Sequence, residues 1–205
     1  MQSILSLSSA CGRHLISSAQ KVPDEALIVS IAKGDRRAVE LLFARHNQRV
    51  YRFVRRLTGN PWLAEEIVSD VFLAVWHCAE CFREQSRVST WLLAIARHKA
   101  IAALRRKKDE HLDDEHAAAI ADDADDPEVT AYQASRSAMI RKCLQRLPQS
   151  HREIIDLVYY HEKTVIETAR IVGIPEGTVK TRMLRGRQRM AKLLKDAGID
   201  SVQAC

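Results

Sequence analysis

Glycine and proline are scarce in this chain, seven and five among 205 residues. The glycines stand singly, so no glycine-rich loop offers its backbone N–H groups to a phosphate. Apolar runs stop well short of the roughly 18 residues that a membrane span requires, so no membrane insertion is expected. Cysteine is sparse and odd in number at five. Without a secretion signal, that count suggests reduced thiols in a cytoplasm, and a cytoplasmic location is expected. The opening "MQSILSLSSACGRHLISS" has no basic residue ahead of its apolar part, and serines interrupt that part repeatedly. "SSAC" also lacks a leucine three residues before a lipidated cysteine. Residues 1–22 read as a disordered tail or a start placed too early. The eight histidines show no pairing with a nucleophile or carboxylate, and "HEKTV" lacks the second histidine of a zinc-protease helix. No catalytic residue, metal site or cofactor is expected.

Charge of one sign is missing from two places. Between Asp109 and Glu128 there are ten acids and no Lys or Arg. The rest of the chain then holds 32 basic and 16 acidic residues, far more positive than the overall net charge of +6 implies. A basic protein with one acidic insert points to a polyanionic partner, with the insert held away from it or masking it. The second gap is in "VGIPEGTVKTRMLRGRQRM" (172–190), where Glu176 is the last acid before Lys180, Arg182, Arg185, Arg187 and Arg189. Cations suit the last turn of a helix. That accounts for Arg187 and Arg189 but leaves Lys180 and Arg182 near the front unexplained.

What is present is helical periodicity. In "DRRAVELLFARHNQRVYRFVRRLTGN", Val39, Leu42, Phe43, Val50, Phe53, Val54 and Leu57 form an apolar stripe, with Asp35 placed to cap the start and Gly59 the end. Asn60-Pro61 opens the next helix, with Leu63, Ile67, Val71, Leu73 and Trp76 as its stripe. A Ser89/Thr90 cap leads into a helix ending in four cations, Arg105 to Lys108. No strand-like alternation and no internal repeat appears. "DEHLDDEHAAAIADDADDPE" is too acidic and too poor in large apolar residues to pack, and periodicity resumes at Ala134. The expected fold class is all-α: two small helical domains joined by an acidic flexible linker, the second domain a helix-turn-helix. The boundaries are a tail at 1–22, a first domain at 23–108, a linker at 109–134, a second domain at 135–197 and a tail at 198–205.

The helix-turn-helix reading rests on "TVIETARIVGIPEGTVKTRMLRGRQRMAKLL". A short helix from Thr164 ends at Gly173, and Pro175 presets the next. Val165, Ala169 and Val172 can face Val179, Met183 and Met190. In this plan the second helix enters a major groove by its N-terminal end. Gly177 and Thr178 keep that tip slim, and Thr178 and Thr181 can donate to phosphate. Lys180, Arg182 and Arg185 lie off the apolar seam, free to reach bases or backbone, with Arg189 further along. The bland alternative is a helical hairpin with a basic solvent face.

"AEEIVSDVFLAVW" followed by "STWLLAIARHKAIAALRR" resembles the promoter-melting domain of bacterial sigma factors. "LPQSHREIIDLVYYHEKTVIETARIVGIPEGTVKTRMLRGRQRMAKLL" resembles their −35-binding domain. Two such domains with a short linker are similar to the extracytoplasmic-function subgroup of the sigma-70 family, over about 24–108 and 135–195. The resemblance implies an alternative sigma factor in a bacterial cytoplasm. Such a protein binds core RNA polymerase through the β′ clamp helices and the β flap, reads promoter DNA, and is usually held by an anti-sigma protein.

By the same resemblance, Glu66 and Asp70, one helical turn apart, match acidic positions that dock on the clamp helices, supported by Val71 and Phe72. The loop 82–89 and the helix bearing Arg97, His98, Lys99, Arg105 and Arg106 match the segment that holds flipped −10 bases and backbone. Two departures stand in that helix: His98 where relatives usually have Asn, and Ala102 where Asp is common. His and Asn offer different donor patterns, so a −10 base preference does not transfer. Leu184 likewise stands where relatives often carry an aromatic or bulky residue. The other function class is a freestanding helix-turn-helix regulator whose first lobe dimerises or senses a ligand. "HCAEC" places Cys78 and Cys81 three apart without a second pair at metal spacing, so they read as buried or half-buried free thiols.

Overall fold

The computed structural model describes residues 22–110 and 131–198, and among these there are helices and no strand. Residues 1–21 of the expected N-terminal tail, the acidic strap from 111 to 130 and the last seven residues lie outside the described residues. Helix α1 (Asp24–Ala32) is followed by α2 (Arg36–Thr58). Asp35 accepts a hydrogen bond from the Arg37 N–H at 2.9 Å, and Gly59 ends α2 with a left-handed φ of 70°. Helix α3 (Pro61–Cys78) has proline at its first position, and the Asn60 side chain accepts from the Leu63 N–H at 3.2 Å. Both ends follow the capping chemistry expected of those residue types.

A single 3-10 turn, Ala79–Cys81, leads to α4 (Val88–Glu110). That helix begins at Val88, ahead of the expected Ser89/Thr90 cap, so both residues lie in its first turn and their hydroxyls bond elsewhere. The second lobe is α5 (Ala131–Gln145), α6 (Gln149–Ile155), one π turn (Asp156–Tyr160), α7 (Val165–Val172) and α8 (Glu176–Asp196). Helix α4 runs past the expected domain end at 108, and α5 starts ahead of the expected 135.

Leu27, Ile31, Leu42, Val50, Phe53, Val71, Val75 and Leu92 are almost wholly buried. Each such side chain contributes roughly 1.5–3 kcal/mol relative to exposure. The same apolar cluster continues into the second lobe through Ile154, Leu157, Ala169, Ile171, Val172 and Val179, because α4 packs along α7. Two residues of the expected stripes stay outside the core: Phe43 is 40% exposed and Leu73 55%. Phe43 follows Leu42 by about 100° of helical turn, which leaves it edge-on to Phe72 at 4.9 Å.

Candidate nucleic-acid interface

Helix α7 starts in a reciprocal capping box: the Thr164 hydroxyl accepts from the Glu167 N–H at 3.2 Å, and the Glu167 carboxylate accepts from the Thr164 N–H at 3.0 Å. It ends at Gly173 in a left-handed conformation, φ 71°, which a side chain would strain. Pro175, φ −59°, then sets the entry to α8. Val179 is wholly buried against Ala169 and Val172 at this joint, with Val165 and Met183 partly buried beside it. Met190 departs from the expected seam. It lines an apolar groove of about 340 Å³ with Ile140, Leu144, Ile155, Tyr159 and Leu194, because it lies three turns beyond Val179, alongside α5.

Gly177, Lys180, Thr181, Leu184, Arg185, Arg187 and Arg189 are exposed on α8, with Thr178 and Arg182 half-buried. None of the five cations forms an ion pair with a described residue. One expected donor is already engaged, since the Thr181 hydroxyl gives its proton to the Gly177 carbonyl at 2.9 Å, the usual back-bond of a helical Thr. The positive field reaches inward. Burial, then the charges of Arg189, Arg182 and Arg185, hold the His151 imidazole below its ordinary pKa. A surface of this sign attracts a polyanion by Coulomb force before any base is read.

In the first lobe, α3 presents Trp62, Glu65, Glu66, Ser69, Asp70 and Leu73 to solvent, Trp62 at 79% exposure. Val71 and Phe72 do not belong to that face. Val71 is fully buried and Phe72 nearly so, because successive helical positions turn them toward α2 and α4. Val71 can therefore support the acidic face from beneath but cannot touch a partner.

On α4, His98, Ala102, Arg105 and Arg106 are exposed. The other two candidate cations are engaged within the chain: Lys99 approaches Asp70 at 3.5 Å, and Arg97 donates from Nε to the buried Glu153 of α6 at 2.5 Å.

That last pair is one of several bonds by which the second lobe grips the first. The Lys163 ammonium donates to Ser89 at 2.7 Å and to Thr90 at 3.1 Å. Thr90 in turn donates to Glu167 at 2.8 Å. Arg170 donates to the Gln85 carbonyl inside the 82–89 loop. Arg56 pairs with Asp156 at 2.5 Å and lies over the Tyr160 ring at 4.0 Å, while His161 meets Phe53 edge-on at 5.4 Å.

Burial pushes the Glu167 carboxyl up, but bonds from Thr164 and Thr90 and the Lys163 charge outweigh it and bring it down to about 2. Burial lowers the Lys163 pKa. Two non-glycine residues with left-handed backbone, Glu84 and Glu162, both at φ 53°, adjoin Gln85 and Lys163. Such positions cost on the order of 1–2 kcal/mol each, so surrounding contacts have to hold them. Sequence reading missed this grip. The Thr164-x-x-Glu167 cap is a legible local signal, but partners more than fifty positions away leave no periodic trace.

Cys78 and Cys81 are both exposed, contrary to the expectation of buried or half-buried thiols. Helix α3 ends at Cys78, and in the turn that follows it is Ala79 that faces the core, 4% exposed.

Residues 42–110 match the family pattern described as Sigma-70 region 2, and residues 137–190 match Sigma-70, region 4. The chain is 33% identical over 178 residues to the ECF RNA polymerase sigma factor SigW of Bacillus subtilis, covering 82% of this chain and 95% of that one. It is 31% identical over 183 residues to the ECF sigma factor SigM of Mycobacterium tuberculosis, with 89% and 87% covered. Among solved structures, its fold is similar to that of the sigma factor RpoE in complex with the anti-sigma factor NepR from Bartonella quintana. That match has a TM-score of 0.67 at 24% identity and covers 79% of this chain and 98% of that one. CnrH in complex with the cytosolic domain of CnrY gives a TM-score of 0.63 at 23% identity, with 87% and 99% covered.

Proposed function

This chain belongs to the sigma-70 family, as an extracytoplasmic-function sigma factor, and from that premise we propose how its surfaces divide the work of promoter recognition. An alternative sigma factor is a transcription initiation factor that serves RNA polymerase at promoter DNA. The freestanding regulator considered from the sequence is set aside, because both domains match sigma regions in order.

In our reading, Thr178, Lys180, Arg182 and Arg185 at the front of α8 enter the −35 major groove, with Thr181 joining once it releases Gly177. Arg189 follows the backbone. His98, Arg105, Arg106 and the 82–89 loop take the −10 element, with Arg97 and Lys99 joining when they leave Glu153 and Asp70. Glu66 and Asp70, flanked by exposed Trp62 and Leu73, meet the β′ clamp helices, and the second lobe meets the β flap. An anti-sigma protein, like those bound to RpoE and CnrH, holds the chain when it is idle. The setting is the cytoplasm of a bacterium.

The observation that carries this division is the contrast between two exposed helical faces. One is acidic with apolar flanks on α3, and the other, on α8, is cationic from Lys180 to Arg189, with no acid between Glu176 at its tip and Asp196 at its end. A single polyanion cannot use both, whereas a protein partner and a DNA partner can. The test is initiation with core polymerase, alongside footprinting of the chain alone at physiological salt. We expect promoter-specific initiation with polymerase and only weak duplex binding without it. A tight specific footprint from the chain alone would contradict the reading.

A further inference from the structure

The promoter reading leaves one chemically competent pair unused, the thiols of "HCAEC". Cys78 is the last residue of α3 and Cys81 the last of the 3-10 turn that follows, and both are exposed. Residues three apart in such a turn eclipse one another. The charge of a Cys81 thiolate, then burial, then a hydrogen bond with Cys81 raise the Cys78 thiol above its ordinary value, which keeps Cys78 protonated and leaves the first attack on an incoming disulfide to Cys81. Among the described residues no third His, Cys, Asp or Glu completes a metal-binding group there. An exposed Cys-x-x-Cys with no third ligand beside it among the described residues fits transient thiol exchange in a reducing compartment better than a structural bond. Cys143 offers no competition, being 3% exposed with its Sγ–H toward the Leu193 carbonyl.

We propose that Cys78 and Cys81 are an exchange site for small-molecule disulfides, oxidised there to an intramolecular disulfide that shifts the start of the 82–89 loop. One cysteine thiolate attacks a sulfur of the small disulfide, forming a mixed disulfide and releasing one small thiolate. The second cysteine thiolate attacks the bonded protein sulfur, closing Cys78–Cys81 and expelling the other half. The two protein thiols give up two electrons, the small disulfide accepts them, and the two thiol protons go to the released thiolates.

The consequence follows from geometry. Helical positions three apart hold their Cβ atoms about 5–6 Å from each other, whereas a disulfide draws them to about 3.8 Å. Cys78 is fixed by α3, and Ala79 is pinned in the core. The movement therefore falls on Cys81 and Phe82. Phe82 rests against Trp91 with ring centres 5.2 Å apart, and two residues on stands Glu84 with its left-handed backbone.

The full-length chain would be equilibrated in glutathione buffers of rising oxidised fraction, alkylated, digested and mapped by mass spectrometry. Amide exchange in 82–89 and promoter opening with core polymerase would be followed in parallel. We expect a Cys78–Cys81 linkage, altered exchange across 82–89, and several-fold slower promoter opening that dithiothreitol restores. The C78S/C81S variant should open promoters normally and ignore the buffer. Absence of the 78–81 linkage, or a linked chain with unchanged exchange and opening, overturns the proposal. The functional arm rests on the promoter reading. If the reduced chain fails to initiate at all, that reading fails, and the mapping and amide exchange alone decide the thiol site.

Discussion

Arg182 and Arg189 share one helix and one charge, yet their surroundings differ. Arg182 is half-buried three residues from the joint at Val179, while Arg189 is exposed about two turns further on. If Arg182 reads a guanine edge, Arg182→Ala should cost about 1–3 kcal/mol at one −35 position and relax the preference there. Arg189→Ala should instead weaken all sequences alike and reduce the slope of log affinity against log salt by about one unit. Polymerase-binding assays on a small −35 library at several salt concentrations separate the two. Even losses from both variants would make the front of α8 a phosphate clamp. Glu66 and Asp70 invite the converse test. Both are exposed, and the Lys99 contact of Asp70 is a long surface pair of the kind that contributes little. Reversing both to Lys should change stability by less than about 0.5 kcal/mol per site while weakening retention on core polymerase. Undiminished co-purification would remove α3 from the interface.

Helix α8 also shows where local rules give way to packing. Gly186 is buried, and a Cβ there would lie 2.9 Å from the Ile155 Cδ1 and 3.4 Å from the His151 Cβ. Alanine would gain roughly 1 kcal/mol of helix propensity, and only the tip of Ile155 must move. The two effects are comparable, so Gly186→Ala should stay within about 1 kcal/mol of the parent in urea unfolding. Gly186→Val brings two more carbons against α6 with little gain in propensity and should lose about 1–3 kcal/mol. A parent-like Gly186→Val would show that α6 and α8 are not tightly seated. Nothing in the sequence marks Gly186 as a packing position, because a glycine among arginines reads as exposed. The caps at Asp35, Asn60 and Gly173 were legible because each depends on residues next to it in the chain. So was the cationic run, which needs only composition. The burial of Val71 was half legible: its place in an apolar stripe was clear, but the resemblance had set it on the partner-facing side. The engagement of Arg97 was not legible, because Glu153 is 56 positions away and looks like any surface acid.

The two lobes share one apolar cluster, and the grip between them falls on the segment proposed to hold −10 DNA. Arg97, Gln85, Ser89 and Thr90 all have partners in the second lobe. In this arrangement the second lobe covers part of the surface proposed for the −10 element. Acidity would not break the Thr90–Glu167 bond under ordinary conditions. The Glu167 carboxyl sits at about 2, below the ordinary 4.5. Its contribution is therefore complete above about pH 4.5 and is lost only as the pH falls toward 2. Salt would act weakly too, since the Glu153 and Lys163 side chains are 5% and 4% exposed and such pairs are poorly screened. Release then calls for a partner that binds the open form better, which core polymerase and promoter DNA together can supply. Weakening the grip should imitate part of that effect. Glu153→Gln removes the charge that holds Arg97, a charge-assisted bond of about 1.5–3 kcal/mol. At about 1.4 kcal/mol per factor of ten, the open population should rise roughly ten- to a hundredfold. Lys163→Met, which removes the ammonium bonds to Ser89 and Thr90, should add to it. Scattering profiles of the double variant should show a larger radius of gyration than the parent, and single-stranded −10 DNA should bind the variant more tightly without polymerase. An unchanged radius with unchanged DNA binding would mean that the apolar contacts around Leu157 and Ile171, rather than these polar bonds, keep the lobes together.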